Sequence, residues 1–562
     1  MAIKASGIGE VMIPKSFQAL RNYDAKKFVA DLIAGITVGL VALPLAMAFA
    51  ISSGVLPQAG IYCAVVAGFI ISAFGGSTTQ IGGPTGAFVV VVAGIVQKYG
   101  IDGLFMCTWM AGILLVLLGV TGLGTAVKFI PRPVVIGFTN GIAVLIASTQ
   151  IKDFLGLKID KVPSEFLPRL QAIASHLNSF SLQATFVSVA ALALIILMMR
   201  YVKRIPGSIV ALFVGTGVVW GFGLPLDTIA SRFGGIPSGL PQFHLPAFKP
   251  ELILPLLAPA LTVTMLGAIE SLLSAVVADR MSGDKHNPNM ELVAQGVANI
   301  MSPLFGGLPA TGAIARTATN IRSGARTPVA GMIHALTLLL VLLVAAPLAK
   351  HIPLCVLASI LFVVAYNMGE WAEIPEILRL SKADIAVWLI TFFLTVFADL
   401  TVAVEAGMIL AALLYIRKVT ATSTVARVTK EYIEEGRLHS LQTNDLPEGV
   451  VVYRIHGPFL FGSTDKLSIV DEELNSLPDV VILRLRNMNA IDATGLSALE
   501  HLADRVHASG RYLILCGMRD QPAELMERAE FHRHIGDLNI VSTLSEGIMR
   551  AEKLLKRELG DA

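Results

Sequence analysis

Charge is what this chain of 562 residues has least of: Asp, Glu, Lys and Arg make up 15% of it, against 54% hydrophobic residues. Its mean hydropathy is +0.70. Residues 32–97 contain no acid, base or histidine at all. A soluble core needs no such run, which is long enough for two membrane spans of about 20 residues each and a shorter segment. The class is therefore a polytopic membrane protein embedded in a lipid bilayer. Cysteine is scarce as well. Cys63, Cys107, Cys355 and Cys516 lie far apart, three of them in apolar runs. That spacing offers neither a disulfide framework nor a metal-ligand pattern, so no metal and no cofactor are expected, and a reduced, cytoplasm-facing setting suits Cys516. The net charge of +2 names no partner, and no nucleic-acid footprint is present. No nucleophile and base recur at workable spacing in the polar C-terminal part, so an enzyme is not expected.

Apolar runs between breakers place spans at 30–53, 58–75, 84–97, 102–122, 125–147, 182–200 and 205–222, then at 252–275, 291–305, 311–324, 328–348, 353–369, 382–400 and 402–416. Fourteen transmembrane segments result, seven in each half. An odd number per half forces the halves into opposite orientation, the inverted-repeat design of many secondary carriers. The first run starts near Phe28 behind Lys15, Arg21, Lys26 and Lys27, and is too long for a signal peptide. These bases put the N-terminus in the cytoplasm, and the even count returns the C-terminus there. Lys128, Arg132, Arg200, Lys203, Arg204, Arg280, Lys285, Arg417 and Lys418 all fall inside under this count. The 152–169 loop, with Lys152, Lys158, Lys161 and Arg169, would be outside and breaks the pattern.

Beyond Lys418 no run is long enough to span. The expected organisation is a cytoplasmic segment at 1–28, a transport domain at 29–420 (repeats at about 29–222 and 252–420), a polar linker or helix at 421–445 and a soluble domain at 446–562. In that last part β-rich runs at 450–455, 480–485 and 512–516 alternate with helical patterns at 463–477, 494–508, 523–530 and 544–558, which predicts a small α/β sheet domain.

Two segments are interrupted by related Gly/Pro motifs. The first reads Gly82-Gly83-Pro84-Thr85-Gly86-Ala87 and the second Gly306-Gly307-Leu308-Pro309-Ala310-Thr311-Gly312-Ala313. Gly costs about 1 kcal/mol and Pro about 3 kcal/mol in a helix interior. Irregular backbone at bilayer depth is tolerated only where protein buries it or a wet cavity adjoins it. The segments after them, 84–97 and 311–324, are too short to cross about 30 Å of hydrocarbon and read as half-helices. Two helix N-termini facing each other make a cationic pocket for an anion. The donors expected there are the amides around Ala87, Phe88, Ala313 and Ile314, beside Gly86, Gly312 and the Thr85 and Thr311 hydroxyls. Tight helix packing is the competing reading of such glycines.

Glu270 is the lone acid of its span until Asp279. A charge at mid-span costs about 2.5 to 3.5 kcal/mol on insertion scales, which calls for a partner or a function. Proton uptake and release by this carboxyl is one reading, and a permanent ion pair with Arg316 is the other. Arg316 follows Ala315 about one turn into the second half-helix, and sequence leaves open whether it meets the anion or Glu270. Pro44 permits a kink in the first span, and Phe49 either walls the pocket or packs.

Pro44 to Ala50, the first Gly/Pro motif, the Ile236-Pro237-Ser238-Gly239-Leu240-Pro241 loop, Glu270-Ser271-Leu272-Leu273 and Asn289-Met290-Glu291-Leu292-Val293-Ala294-Gln295-Gly296-Val297-Ala298-Asn299 together resemble the SulP (sulfate permease) family of anion transporters over nearly the whole chain. Asp492-Ala493-Thr494-Gly495-Leu496 resembles the Asp-Ser-Ser-Gly-Leu loop of its C-terminal STAS domain. The resemblance implies a uracil-transporter-like fold, with a core domain (spans 1–4 and 8–11) moving against a gate domain (5–7 and 12–14), in a homodimer. It puts Thr85, Glu270 and Arg316 at substrate and coupling positions. Many eukaryotic relatives have Gln and Ser where Leu45 and Ala315 stand, which shifts the work here toward backbone amides.

Glu at position 270 resembles the proton-coupled members, whereas sodium-coupled ones often have Asp. Thr494 stands where related bacterial regulators are phosphorylated, although a helix cap is the alternative role. The expectation is a carrier in the cytoplasmic (inner) membrane of a bacterium, working by alternating access with proton symport through Glu270. Its substrate would be a small inorganic or carboxylate anion, sulfate before bicarbonate or C4-dicarboxylates, with the STAS domain meeting an unidentified cytoplasmic partner. Anion exchange, sodium coupling, an uncoupled anion channel and a membrane sensor are the alternatives.

Overall fold

The computed structural model describes residues 13–21, 23–124, 131–159, 162–202, 206–237, 239–243, 245–398, 400–428, 446–473 and 476–560. Lys128, Lys161, Lys203, Arg204, Ser238 and the charged stretch 430–437 lie outside them. The chain forms two compact units, Met1–Ile409 and Leu410–Ala562.

Each of the fourteen expected segments has a helix at its place. Among the described residues, eight helices are long and apolar enough to cross a membrane. The third and fourth segments form one helix, Phe88–Val120, broken at Gly100, where φ is 71° and ψ is −172°. The tenth is the 9-residue helix Ile314–Arg322. At 1.5 Å per residue it covers roughly 14 Å, about half of the hydrocarbon.

By their contacts the helices of the first unit sort into two sets, as a core and a gate domain require. Ala25–Ser52, Pro57–Phe74, Phe88–Val120, Ile253–Ser282, Pro288–Leu304, Ile314–Arg322 and Val329–Ala349 pack on one another. Arg132–Leu155, Leu182–Tyr201, Gly207–Gly221, Leu354–Met368 and Lys382–Phe397 make the second set. In the first set Phe88–Val120 and Pro288–Leu304 touch through backbone: a Cβ on Gly112 would lie 2.8 Å from the Gly296 carbonyl oxygen, and one on Gly296 2.6 Å from that of Gly112. Phe186, Phe213 and Leu254 are exposed on the outside of the unit, as large apolar side chains of a membrane protein can be.

The basic loop that breaks the orientation pattern has a structural cause for two of its four bases. The Lys152 ammonium donates to the Ile159 carbonyl. The buried Arg169 guanidinium donates to the Ser148 hydroxyl at 2.8 Å, to the Leu145 and Pro163 carbonyls at 3.3 and 3.1 Å, and to that of Ser164. Both charges hold the loop together and carry no orientation signal.

Each Gly/Pro motif runs extended for two residues, β1 (Gly82–Gly83) and β2 (Thr311–Gly312), which pair antiparallel. The second unit is a five-stranded sheet of β3 (Thr424–Arg427), β4 (Val450–His456), β5 (Val480–Asn487), β6 (Tyr512–Cys516) and β7 (Ile540–Val541), in that order. β3 is antiparallel to β4, and the other neighbours are parallel. Tyr453, Phe459 and Leu483 fill one face, while Ile482, Ile514 and Ile548 fill the other.

Sequence reading places residues 424–427 in a linker or helix; they are a strand because β4 offers an edge to pair with, a tertiary effect that local propensity does not carry. The helical pattern at 463–477 begins as a 3₁₀ turn, Thr464–Leu467, before the helix Ser468–Glu472.

The cap reading of Thr494 is corrected. Asp492 caps the helix Ala493–Ala508 by accepting from the Gly495 amide at 2.8 Å, and its other oxygen accepts from the Phe461 amide at 3.0 Å. Thr494, two residues on, is exposed. Asp492→Ala should therefore cost the second unit about 1 kcal/mol in denaturant unfolding, since both amides lose their acceptor. Thr494→Ala should stay within about 0.5 kcal/mol.

Candidate functional site

Backbone that leaves helix at bilayer depth must find partners inside the protein. Here the two motifs supply them to each other. Gly82 faces Gly312 and Gly83 faces Thr311 across the β1–β2 pair. The Ala313 amide donates to the Ile81 carbonyl at 2.8 Å, and the Ile81 amide to the Thr317 hydroxyl at 3.0 Å.

Polar side chains from neighbouring helices complete the frame. Ser271 accepts from the Gly312 amide at 3.1 Å and meets the Thr311 hydroxyl at 2.8 Å. Thr311 in turn donates to the Gly267 carbonyl at 3.0 Å, and Gln80 donates to the Ser271 carbonyl at 3.1 Å. Asn299 clamps Ala310 in both directions, at 2.8 Å each way. The Thr311 hydroxyl is thus engaged within the frame.

Helices begin directly beyond this frame, and neither Ala87 nor Ala313 caps its helix with a side chain. The Phe88 and Val89 amides turn back to the Thr85 and Gly86 carbonyls at 3.3 and 3.1 Å. Among the described residues the Ala87 and Ile314 amides have no hydrogen-bond partner. The first turns of both half-helices therefore leave donors open at their positive dipole ends, close in sequence to the β1–β2 pair.

Side chains of the second repeat reach the first motif as well. Thr85, from the first, donates its hydroxyl to Glu270 Oε2 at 2.9 Å. Arg316, from the second, is 3% exposed and donates through Nη2 to the Pro84 carbonyl. Its Nη1 is buried with no partner. Glu270 and Arg316 form no ion pair among the described residues. The permanent-pair reading is not what this structure displays.

Phe49, 5% exposed, packs at the same place: a Cβ on Gly86 would lie 3.3 Å from its ring, 2.9 Å from Ile146 Cδ1 and 2.8 Å from Met368 Sδ. Ile146 and Met368 belong to the second helix set, so the two sets meet on Gly86. Ala87 and Phe88 are buried, whereas Ile314 and Ala315 are exposed. Sequence reading assigns no role to Gln80, Ser271 or Asn299, although each is a polar residue in a largely apolar helix or beside the motif, the available signal. Nothing in the sequence marks Ile146 or Met368.

Unpaired N–H groups, a guanidinium with a free edge and a carboxyl held by a hydroxyl are chemistry that suits a small anion. Fold and site together define a multi-pass anion transporter. The sequence matches the sulfate permease family over residues 28–391 and the STAS domain over residues 443–547. It is 43% identical over 523 residues to the putative sulfate transporter YvdB of Bacillus subtilis, covering 92% of this chain and 96% of that one. It is 32% identical over 536 residues to the bicarbonate transporter BicA of Synechocystis, covering 93% and 94%.

Among solved structures, the transmembrane domain of a cyanobacterium bicarbonate transporter BicA superposes with a TM-score of 0.61 at 35% identity, over 69% of this chain and 98% of that one. The overall structure of SLC26A9 matches at a TM-score of 0.82 over 96% and 92%, with 17% identity, a likeness of fold alone. The chain belongs to the sulfate permease family and carries a C-terminal STAS domain, which bears out the resemblance read from its motifs.

Proposed function

We propose that this protein is a secondary carrier that brings a small anion across the cytoplasmic membrane together with a proton, by alternating access. The anion sits between the two half-helix ends, on the Ala87 and Ile314 amides and the free edge of Arg316. Glu270 carries the proton. The observation that carries this reading is the pair of contacts Thr85 to Glu270 and Arg316 to Pro84, which brings the coupling carboxyl and the anion-binding cation, both from the second repeat, onto neighbouring residues of the first motif.

A bound anion and an ionised Glu270 repel each other: at about 5 Å and an effective dielectric near 20 the cost is about 3 kcal/mol. Protonation removes it, so anion and proton favour one another's binding. The packing of both helix sets on Gly86 supports movement of one set past the other at the site.

Sulfate is the leading substrate, in line with the name of the relative at 43% identity. Bicarbonate is the second reading, because the relative at 32% identity is called a bicarbonate transporter. Purified protein in liposomes, offered labelled sulfate, bicarbonate or succinate, should take up sulfate fastest. Arg316→Gln should raise its KM at least about tenfold, the worth of one charge-assisted hydrogen bond. Uptake of none of the three would end this reading, and a preference for bicarbonate would replace sulfate.

A further inference from the structure

His334 is a buried histidine that the transport cycle above does not use. It is 0% exposed, on the helix Val329–Ala349, and both of its ring nitrogens lack hydrogen-bond partners. Buried polar atoms are nearly always satisfied, so two orphans on one ring call for a partner of another kind.

Its surroundings point to one. The ring lies against Gly68, where a Cβ would sit 3.9 Å from His334 Cδ2 and 3.1 Å from the Gly82 carbonyl oxygen of β1. On the next residue of β1, a Cβ on Gly83 would sit 2.8 Å from Arg316 Nη1 and 3.4 Å from Ala64 Cα. Ala64 and Gly68 are one turn apart on the same helix, a rise of about 6 Å. The unpaired edge of Arg316 and the unpaired imidazole therefore lie about one helical turn apart along the same small-residue face.

Arg316 is also the charged group whose field acts on the ring. A third orphan, the buried Ser72 hydroxyl, belongs to the same face. It would collide with a Cβ on Gly331, which lies one turn before His334. Of the ionisable groups on the packed helices, Asp31 accepts from the Arg326 and Thr327 amides, and Cys63 donates to the Pro309 carbonyl.

We propose that a short chain of buried waters lies behind β1, running from Ser72 past His334 to Arg316 Nη1, and that through it His334 is a positioning residue for the guanidinium. A buried water makes two to four hydrogen bonds, and these side chains present that number of open positions. The water nearest the guanidinium accepts one Nη1 hydrogen, leaving the other for the anion, and donates to one imidazole nitrogen. Nη2 is fixed by Pro84 on the other side, so the guanidinium plane is held at both ends and its orientation toward the anion is set before the anion arrives. The effect falls on binding, not on the rate of the conformational step.

This inference rests on the anion site proposed at Arg316. The test is labelled sulfate uptake by full-length protein in liposomes, with KM and kcat measured separately and thermal stability recorded for each variant. His334→Leu should raise KM about tenfold with kcat within about twofold of wild type, the size of one lost hydrogen bond to the charged group. His334→Gln or His334→Asn, each of which restores a polar atom near one ring nitrogen, should recover most of that loss. Ser72→Ala, the milder change, should raise KM about threefold.

A wild-type KM in His334→Leu, or Gln and Asn variants as impaired as Leu, overturns the proposal. So does an unchanged KM in Ser72→Ala if the His334 variants fail to fold. Arg316→Gln, measured alongside, separates the two levels. An unchanged KM there removes the anion site itself, whereas a raised one with normal His334→Leu removes only the water chain.

Discussion

Glu270→Gln is expected to abolish proton-driven accumulation of the labelled anion while leaving anion-for-anion exchange across the liposome membrane at no less than about a third of its wild-type rate. The substitution keeps the side chain's size and an oxygen that accepts from the Thr85 hydroxyl, so the contact at 2.9 Å that ties span eight to the first motif survives. What disappears is the ability to alternate between charged and neutral. The like-charge cost of about 3 kcal/mol, which makes empty carrier and loaded carrier differ in proton occupancy, corresponds to more than a hundredfold in affinity. With a permanent amide that difference is gone, and a pH gradient no longer biases the direction of transport. The comparison is the ratio of internal to external sulfate at steady state, with the outside about one pH unit more acid. Accumulation by the variant at the wild-type level would remove Glu270 from coupling.

Gly312→Ala should have the largest structural effect. Gly312 lies in β2 opposite Gly82, and a Cβ there would collide with the Gln80 amide and come within 3.0 Å of Ser271 Cα. Neither neighbour can retreat freely, because Gln80 donates to the Ser271 carbonyl at 3.1 Å and Ser271 accepts from the Gly312 amide at 3.1 Å. Overpacking of this kind costs about 1 to 3 kcal/mol, and a displaced Gln80 adds about 1 kcal/mol for the lost hydrogen bond. The melting temperature of the purified protein should fall by several degrees and sulfate uptake to below about a tenth of wild type.

Gly94→Ala is the control. A Cβ at Gly94 meets nothing within 4 Å, so the change should be neutral or stabilise the first half-helix by about 0.5 to 1 kcal/mol. Equal stability of the two variants would contradict the tight β1–β2 frame.

The fold was legible where one physical signal dominates. Uncharged runs mark spans because the bilayer excludes charge, and Gly/Pro clusters mark the half-helices because both residues oppose helix. The joining of the motifs into a two-stranded pair was not legible, since two residues are too few for any period to register. Thr85, Glu270 and Arg316 stood out by type and position, but the meeting of the last two on the first motif did not, because it depends on which rotamers reach Thr85 and Pro84. Lys152 and Arg169 misled the orientation count, since a base that holds a loop together looks the same in sequence as one that faces water. Asp492 and Thr494 show the same limit on a smaller scale: both are capping residue types, and only backbone geometry separates the cap from the exposed neighbour.

The central claim is that anion and proton cross together through one site. It is tested most directly by trapping a pH-sensitive dye inside liposomes that contain the purified protein and adding sulfate outside at equal internal and external pH. Wild-type protein should acidify the interior as sulfate enters, and Glu270→Gln should pass labelled sulfate in exchange without any acidification. Net sulfate entry through the wild type with no change in internal pH would contradict the account and leave an uncoupled or sodium-coupled route in its place.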